Sequence, residues 1–200
     1  MSETKIATAF MELGILVFSL CLHEFGHALV ATKLGDPTPK LLGRLTMDPR
    51  SHADPMGTII FPLIMFLFPS SFLFGWAKPV PITPQNFPKP RRDGALVALA
   101  GPAMNLILAA VSFGLLMSVD AFPNLGLDNV STDVAAQFFS IFLQLNVYLA
   151  VFNLIPVYPL DGSWILKSVL PPKLSYRVSR LDPYGFLILI GLYFLISWLF

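Results

Sequence analysis

The sequence predicts an all-α polytopic membrane protein. Of its 200 residues 55% are hydrophobic and only 12% are charged, whereas soluble domains average about 25% charged residues. The mean hydropathy is +0.70. The apolar runs are residues 6–32, 57–74, 95–119, 134–155 and 186–200. Because a helix needs about 20 residues to cross a bilayer, we expect four to six membrane segments in one domain, residues 1–200.

The first run, residues 6–32, is longer than the core of a signal peptide and has no small-residue cleavage site. It is therefore predicted to stay in the protein as a membrane helix. Runs 95–119 and 134–155 have the length of ordinary spans. Run 186–200 has 15 residues, and run 57–74 is interrupted by Pro62 and Pro69.

The orientation follows from the basic residues of the polar connections. Lys and Arg residues occur in connections 34–55, 75–93 and 161–185, and none occurs in 120–133. Since cytoplasmic loops are enriched in Lys and Arg, the connection 120–133 is predicted to be external. With basic connections on both sides, run 57–74 is expected to be a re-entrant hairpin. If it spans instead, residues 75–93 lie outside, against the charge rule.

The first helix carries the sequence His23-Glu24-Phe25-Gly26-His27. Residues four apart lie on one face of a helix, so the two imidazoles can bind one metal ion. In metalloproteases with this spacing, the glutamate takes a proton from a water molecule that the metal has acidified. A packed core histidine is the ordinary alternative, but ionisable groups at membrane depth indicate function. By helix rise, His23 lies about 15 Å below the cytoplasmic end of the helix.

A catalytic zinc ion needs a third protein ligand and an open position. Asp161 is a better candidate for this ligand than His52. Prolines end the apolar run 134–155 and present the Asp161 carboxylate at the cytoplasmic side. The alternative for Asp161 is a cap on the following helix. His52 is expected to be a solvated loop residue. Cys21 is expected to be a buried apolar side chain that points away from the histidines.

These motifs resemble those of the site-2 protease family of intramembrane zinc metalloproteases. The resemblance rests on the H-E-x-x-H motif, on Ala100-Gly101-Pro102-Ala103-Met104-Asn105, and on Asn153-x-x-Pro156-x-x-Pro159-Leu160-Asp161-Gly162. It implies helices around one buried Zn²⁺ ion, with His23, His27 and Asp161 as ligands and Glu24 as general base. It further implies cleavage of transmembrane or membrane-associated proteins. The match to short bacterial members implies a multi-pass protein of the bacterial inner membrane. The distribution of basic residues predicts that its active site lies nearer the cytoplasm.

Asn105 and Asn153 match polar positions of the family, where they would bind or polarise substrate. An amide N–H in a dry site can stabilise the charge that develops on a peptide carbonyl. Each asparagine also has a structural alternative, since Asn105 could hydrogen-bond across helices and Asn153 could bind carbonyls freed by Pro156. Ser163 stands where the family often has glycine, which could alter the turn after Asp161.

Residues 74–81 alternate apolar residues with prolines, which suits an edge strand or extended lip at the membrane surface. One hypothesis is that this lip pairs with an unwound substrate by strand addition. The alternative is an interfacial anchor formed by Trp76 and Lys78.

Other classes of function fit less well. A net charge of +1 gives no indication of a nucleic-acid partner, and the lipid bilayer is the expected environment. A non-catalytic scaffold or a metal transporter is the main rival to the enzyme. A structural zinc site is closed by four ligands and has no use for Glu24. A transporter is expected to show internal repeats, which the sequence lacks.

Overall fold

The structure, a computed structural model, describes residues 3–65, 75–121 and 129–199, and side chains within 6–65, 75–119 and 131–192. All regular elements in these ranges are helical. They are α1 (Glu3–Lys33), α2 (Thr38–Leu41), α3 (Pro49–His52), α4 (Pro55–Met65), α5 (Pro90–Ala121), α6 (Asn129–Asn153), α7 (Asp161–Val169), α8 (Pro172–Ser179) and α9 (Gly185–Leu199).

Three helices are long and apolar enough to cross a membrane: Ile6–Lys33, Pro90–Val119 and Ser131–Asn153. They confirm the predicted all-helical membrane fold and correspond to the runs at 6–32, 95–119 and 134–155. The helix of the 95–119 run begins earlier than its apolar residues, because its first turn is polar. There Asp93 accepts a hydrogen bond from the Lys89 N–H at 2.9 Å.

The two less regular runs form shorter helices. Residues 186–199 of the last run lie in α9, and the start of run 57–74 lies in α4, which opens with a π-helical turn. Residues 66–74 lie outside the described residues. The N–H of Trp76 donates to the Gly57 carbonyl at 3.1 Å, so the chain returns by residue 76 to the point where this run began. Such a return is what a re-entrant hairpin requires.

α5 packs against α1, α6 and α7. It approaches α1 closely at Gly26, where an added Cβ would lie 2.9 Å from the Ala100 carbonyl oxygen. Small residues at such a crossing allow two membrane helices to pack closely. The crossing lies between His23 and His27 in sequence, so it brings α5 directly against the histidine face of α1.

Residues 75–83, here called the extended segment, have no helical structure and no strand partner among the described residues. The predicted extended element is therefore present, without a β ladder. At its far end the buried Asp36 accepts hydrogen bonds from the Thr83 N–H, the Thr38 N–H and hydroxyl, and the Asn86 amide. Burial raises the pKa of Asp36, but these hydrogen bonds outweigh it and hold the pKa below its ordinary value. Asp36 thus ties the segment to the end of α1.

Candidate metal centre

The two histidines of α1 are buried, and α5 fixes the orientation of both rings. Nδ1 of His23 lies 2.6 Å from the side-chain oxygen of Asn105, and Nδ1 of His27 lies 2.7 Å from the carbonyl oxygen of Val97. Because these oxygens can only accept, each neutral ring carries its proton on Nδ1. Both Nε2 atoms are left free to bind a metal ion.

The side chain of Asp161 forms a triangle of residues with His23 and His27, and each of its two oxygens faces one of these nitrogens. Its Oδ2 lies 3.2 Å from Nε2 of His23 and its Oδ1 lies 3.3 Å from Nε2 of His27, while the two Nε2 atoms are 3.1 Å apart. In a tetrahedral zinc site with bonds of about 2.0–2.1 Å, ligand atoms are about 3.3 Å apart. Oδ2 is buried without a hydrogen-bond partner. The donor atoms and their spacing therefore fit zinc.

The structure does not support a capping role for Asp161 or a solvated position for His52. Asp161 is the first residue of α7, and the cap position is Leu160, with no side-chain capping bond. The prediction that His52 is solvated is wrong, because it is 1% exposed and its Nε2 lies 2.9 Å from the Thr46 carbonyl oxygen. Residues 34–54 fold back against α1, which buries the imidazole away from the triangle. Cys21 is buried as expected.

Glu24 lies beside the triangle and is held by the extended segment. Its Oε2 accepts a hydrogen bond from the backbone N–H of Val80 at 2.9 Å. Both residues line a cavity of about 1700 Å³. The same cavity is lined by the three residues of the triangle and by Ala77, Pro79 and Asn153. The possible ligands, the carboxylate of Glu24 and one edge of the extended segment therefore face a common space.

Residues 11–196 match peptidase family M50. This chain belongs to that family. It is 43% identical over 178 residues to the Bacillus subtilis (strain 168) protein named "Putative zinc metalloprotease YwhC", covering 89% of this chain and 77% of that protein. Rip2 of Mycobacterium tuberculosis (strain H37Rv) carries the same description and is 34% identical over 197 residues, covering 96% of this chain and 71% of Rip2.

A more distant relative is "Zinc metalloprotease MJ0392" of Methanocaldococcus jannaschii, which is 28% identical over 169 residues. The match covers 84% of this chain and 37% of that protein. No solved structure matches the chain. Membership of family M50 agrees with the resemblance that the three sequence motifs carry.

In this M50 chain the two predicted asparagines occupy different surroundings. Asn105 is fully buried, and its amide donates to Asn146 at 2.9 Å. Asn146 in turn donates to Ser19 at 2.9 Å, so a chain of polar side chains leads from His23 through α5 and α6 back to α1. Asn153 lines the cavity, and its amide donates to the Leu149 carbonyl of its own helix. The geometry gives Asn105 a structural partner and leaves Asn153 beside the site.

Gly101, which belongs to the second of the three sequence motifs, is a further residue of the site. A Cβ at this position would lie 2.4 Å from Nε2 of His27 and 2.5 Å from Nε2 of His23. These distances are close to a metal–nitrogen bond length. Any side chain at residue 101 would thus collide with the two nitrogens that face Asp161. Sequence reasoning missed Val80 and Ser19, and Ser19 could have been noticed because it precedes His23 by one helical turn.

Proposed function

We propose that this chain is an intramembrane zinc endopeptidase that cleaves transmembrane or membrane-associated proteins. The chain is a metalloprotease of the membrane, and zinc is its cofactor, as its family and the names of its relatives indicate. In our proposal the ligands are His23, His27 and Asp161, and the general base is Glu24. The observation that carries it is the triangle of His23, His27 and Asp161, in which the two Nε2 atoms are 3.1 Å apart and each has an Asp161 oxygen within 3.3 Å, next to Glu24 in a cavity between apolar helices.

Each residue has a defined part in hydrolysis. Zinc, when bound, makes water more acidic and polarises a peptide carbonyl. Glu24 takes the proton of the attacking water and passes it to the nitrogen of the leaving amine. Asn153, which lines the cavity, is placed to donate a hydrogen bond to the substrate carbonyl as negative charge develops there. Asn105 keeps the His23 ring in the tautomer that leaves Nε2 free.

An open site favours catalysis over a scaffold or a transporter. Among the described residues, the group that could hold a metal ion consists of His23, His27 and Asp161. Three protein ligands leave one position of a tetrahedral zinc ion for water or substrate, whereas structural zinc sites use four protein ligands. Glu24 adjoins the site without belonging to this group. An unligated carboxylate at an open site suits a base.

The extended segment is our candidate for substrate binding. The N–H groups of Trp76, Lys78 and Val80 all donate towards the protein interior, to Gly57, His52 and Glu24. Because successive residues of an extended chain face opposite sides, the backbone of Ala77 and Pro79 faces the other way, and both residues line the cavity. A substrate unwound into an extended form can pair with this edge next to Glu24.

The charge distribution supports a location for the reaction. The basic residues of connections 34–55, 75–93 and 161–185 favour an orientation with the triangle in the cytoplasmic half of the bilayer. Asp161 is the first residue of α7, directly after the connection from α6, which lies at the cytoplasmic side in this orientation. We place the protein in a bacterial inner membrane, with run 57–74 as a re-entrant hairpin on the cytoplasmic side.

The test is metal content measured together with cleavage of a transmembrane peptide by the purified full chain. Removal of the metal by a chelator should stop cleavage, and added zinc should restore it. Asp161→Asn should weaken zinc retention, by about 10-fold or more, while the matched change at the exposed Asp133, Asp133→Asn, should not. Normal zinc retention in Asp161→Asn would remove Asp161 from the ligand set.

A further inference from the structure

Arg44, in the connection between α1 and α4, is buried against the extended segment. Arg44 is only 7% exposed, and such burial is unusual for arginine. One guanidinium nitrogen, Nη2, donates to the carbonyl of Lys78 at 2.5 Å and lies 3.5 Å from Nδ1 of His52. Burial lowers the pKa of Arg44, and the negative charge of Glu24 raises it. Arg44 therefore interacts with the extended segment directly and with Glu24 through its charge.

Lys78 is held through both of its backbone groups. Its N–H donates to the His52 carbonyl at 2.8 Å, and its carbonyl accepts from Arg44. Two residues further along, the N–H of Val80 donates to Glu24. Residues two apart in an extended chain present their backbone to the same side. The position of Lys78 therefore determines where the Val80 N–H points.

The chain between these contacts is stiff. Pro79 and Pro81 lie on either side of Val80, and each proline ring fixes its own φ near −65°. The residue before a proline is also restricted to extended conformations, which applies to Lys78 and Val80. Because few backbone dihedrals between these residues can adjust, a displacement of the Lys78 carbonyl also displaces the Val80 N–H.

We propose that Arg44 is a positioning residue for Glu24, acting through Lys78 and Val80. Arg44 fixes the extended segment so that the Val80 N–H holds the carboxylate beside the metal ligands. This inference rests on the proposed role of Glu24 as the base. Arg44 touches none of His23, His27 and Asp161 in the described structure, so its loss should leave zinc binding intact while reducing the rate of cleavage.

The first test compares Arg44→Gln with Arg50→Gln, the same change at an exposed residue of the same connection. Both are made in the full chain and assayed with zinc for kcat, zinc per chain and midpoint of unfolding. We expect kcat of Arg44→Gln to fall about 10- to 100-fold with zinc content unchanged and cooperative unfolding retained, at a lower midpoint because a buried donor is lost. Arg44→Lys, which keeps a charged donor, should recover part of the loss. Arg50→Gln should behave as wild type.

A double-mutant cycle tests the route. Val80→Pro removes the N–H that binds Glu24 and suits an extended backbone. If Arg44 acts through this bond, Arg44→Gln with Val80→Pro should be no slower than the slower single variant. Losses that multiply would overturn the proposal, as would a kcat of Arg44→Gln equal to that of Arg50→Gln, or a parallel loss of zinc.

If Arg44→Gln gives no cooperative unfolding, Arg44→Lys takes its place in the cycle with the same expectation. Failure of this inference is distinct from failure of the proposed function. A wild-type kcat in Arg44→Gln refutes only the positioning role, whereas cleavage by a zinc-loaded Glu24→Gln variant refutes the role of the base itself.

Discussion

At the scale of single residues, the site depends on a glycine as much as on its ligands. Gly101 of α5 lies where an added methyl group would meet both Nε2 atoms at 2.4 and 2.5 Å. Gly101→Ala is therefore expected to abolish zinc binding and cleavage, as measured by zinc per chain. Gly114→Ala is the matched control on the same helix, because a Cβ there has no neighbour within 4 Å. Normal zinc content in Gly101→Ala would show that α5 moves away at little cost.

A substitution of Asn105 distinguishes two roles for this residue, which are orientation of His23 and direct contact with substrate. Its side-chain oxygen lies 2.6 Å from Nδ1 of His23, and its amide is engaged by Asn146. Asn105→Ala should thus weaken zinc affinity about 10- to 100-fold, as loss of a partner of a metal ligand does, measured by competition with a chelator. Asn153→Ala should keep zinc affinity and lower kcat. The opposite pattern, with kcat alone reduced in Asn105→Ala, would favour a direct contact of Asn105 with substrate.

The three proposed ligands could be selected from the sequence, and their surroundings could not. His23 and His27 are related by helical spacing, and Asp161 follows a pair of prolines at the end of a long apolar run. The contact between Val80 and Glu24 joins residues 56 positions apart through a backbone N–H, which has no side-chain signature. Arg44 was noticed only as a basic loop residue, because its burial depends on how residues 34–54 fold against α1.

At the scale of elements, the extended segment depends on anchors at both ends. The hydroxyl of Thr58 donates to the Trp76 carbonyl at one end, and Asp36 accepts from Thr83 and Asn86 at the other. Sequence reasoning predicted an extended lip from its prolines but could not predict these partners, which come from other parts of the chain. The anchors explain how a segment without a strand partner among the described residues keeps a defined edge.

Asp36 gives the anchored segment a pH dependence. Its pKa is lowered in the folded chain, so its stabilising effect is complete above the unfolded pKa of about 3.9. That effect is lost as the pH falls through the folded value. Asp36→Asn should therefore reduce the free energy of unfolding by about 2 kcal/mol at pH 7, and the difference from wild type should shrink at pH 3. The measurement is unfolding in detergent at both pH values.

Asp133→Asn, on the exposed start of α6, is the control for that measurement. It should leave the unfolding free energy unchanged at both pH values. A difference between wild type and Asp36→Asn that is equal at pH 7 and pH 3 would contradict the account of Asp36.

At the scale of the whole molecule, the orientation of the helices decides from which side water and substrate reach the metal site. The charge distribution places residue 133 outside and residue 173 inside. A membrane-impermeant thiol reagent applied to intact cells should label Asp133→Cys and leave Lys173→Cys unlabelled. Wild type is the unlabelled control, because Cys21 is buried. Labelling of Lys173→Cys alone would show that the topology is the reverse of the predicted one, with the site in the outer half of the bilayer.

The most direct test of the central claim is cleavage of a transmembrane peptide by zinc-loaded Glu24→Gln in the full chain. Glu12→Gln, the same change twelve residues earlier on α1, is the matched control. The account predicts that Glu24→Gln keeps one zinc ion per chain and that its kcat falls at least about 100-fold, while Glu12→Gln cleaves normally. Cleavage by Glu24→Gln at the wild-type rate would contradict the assignment of Glu24 as the base of an intramembrane metalloprotease.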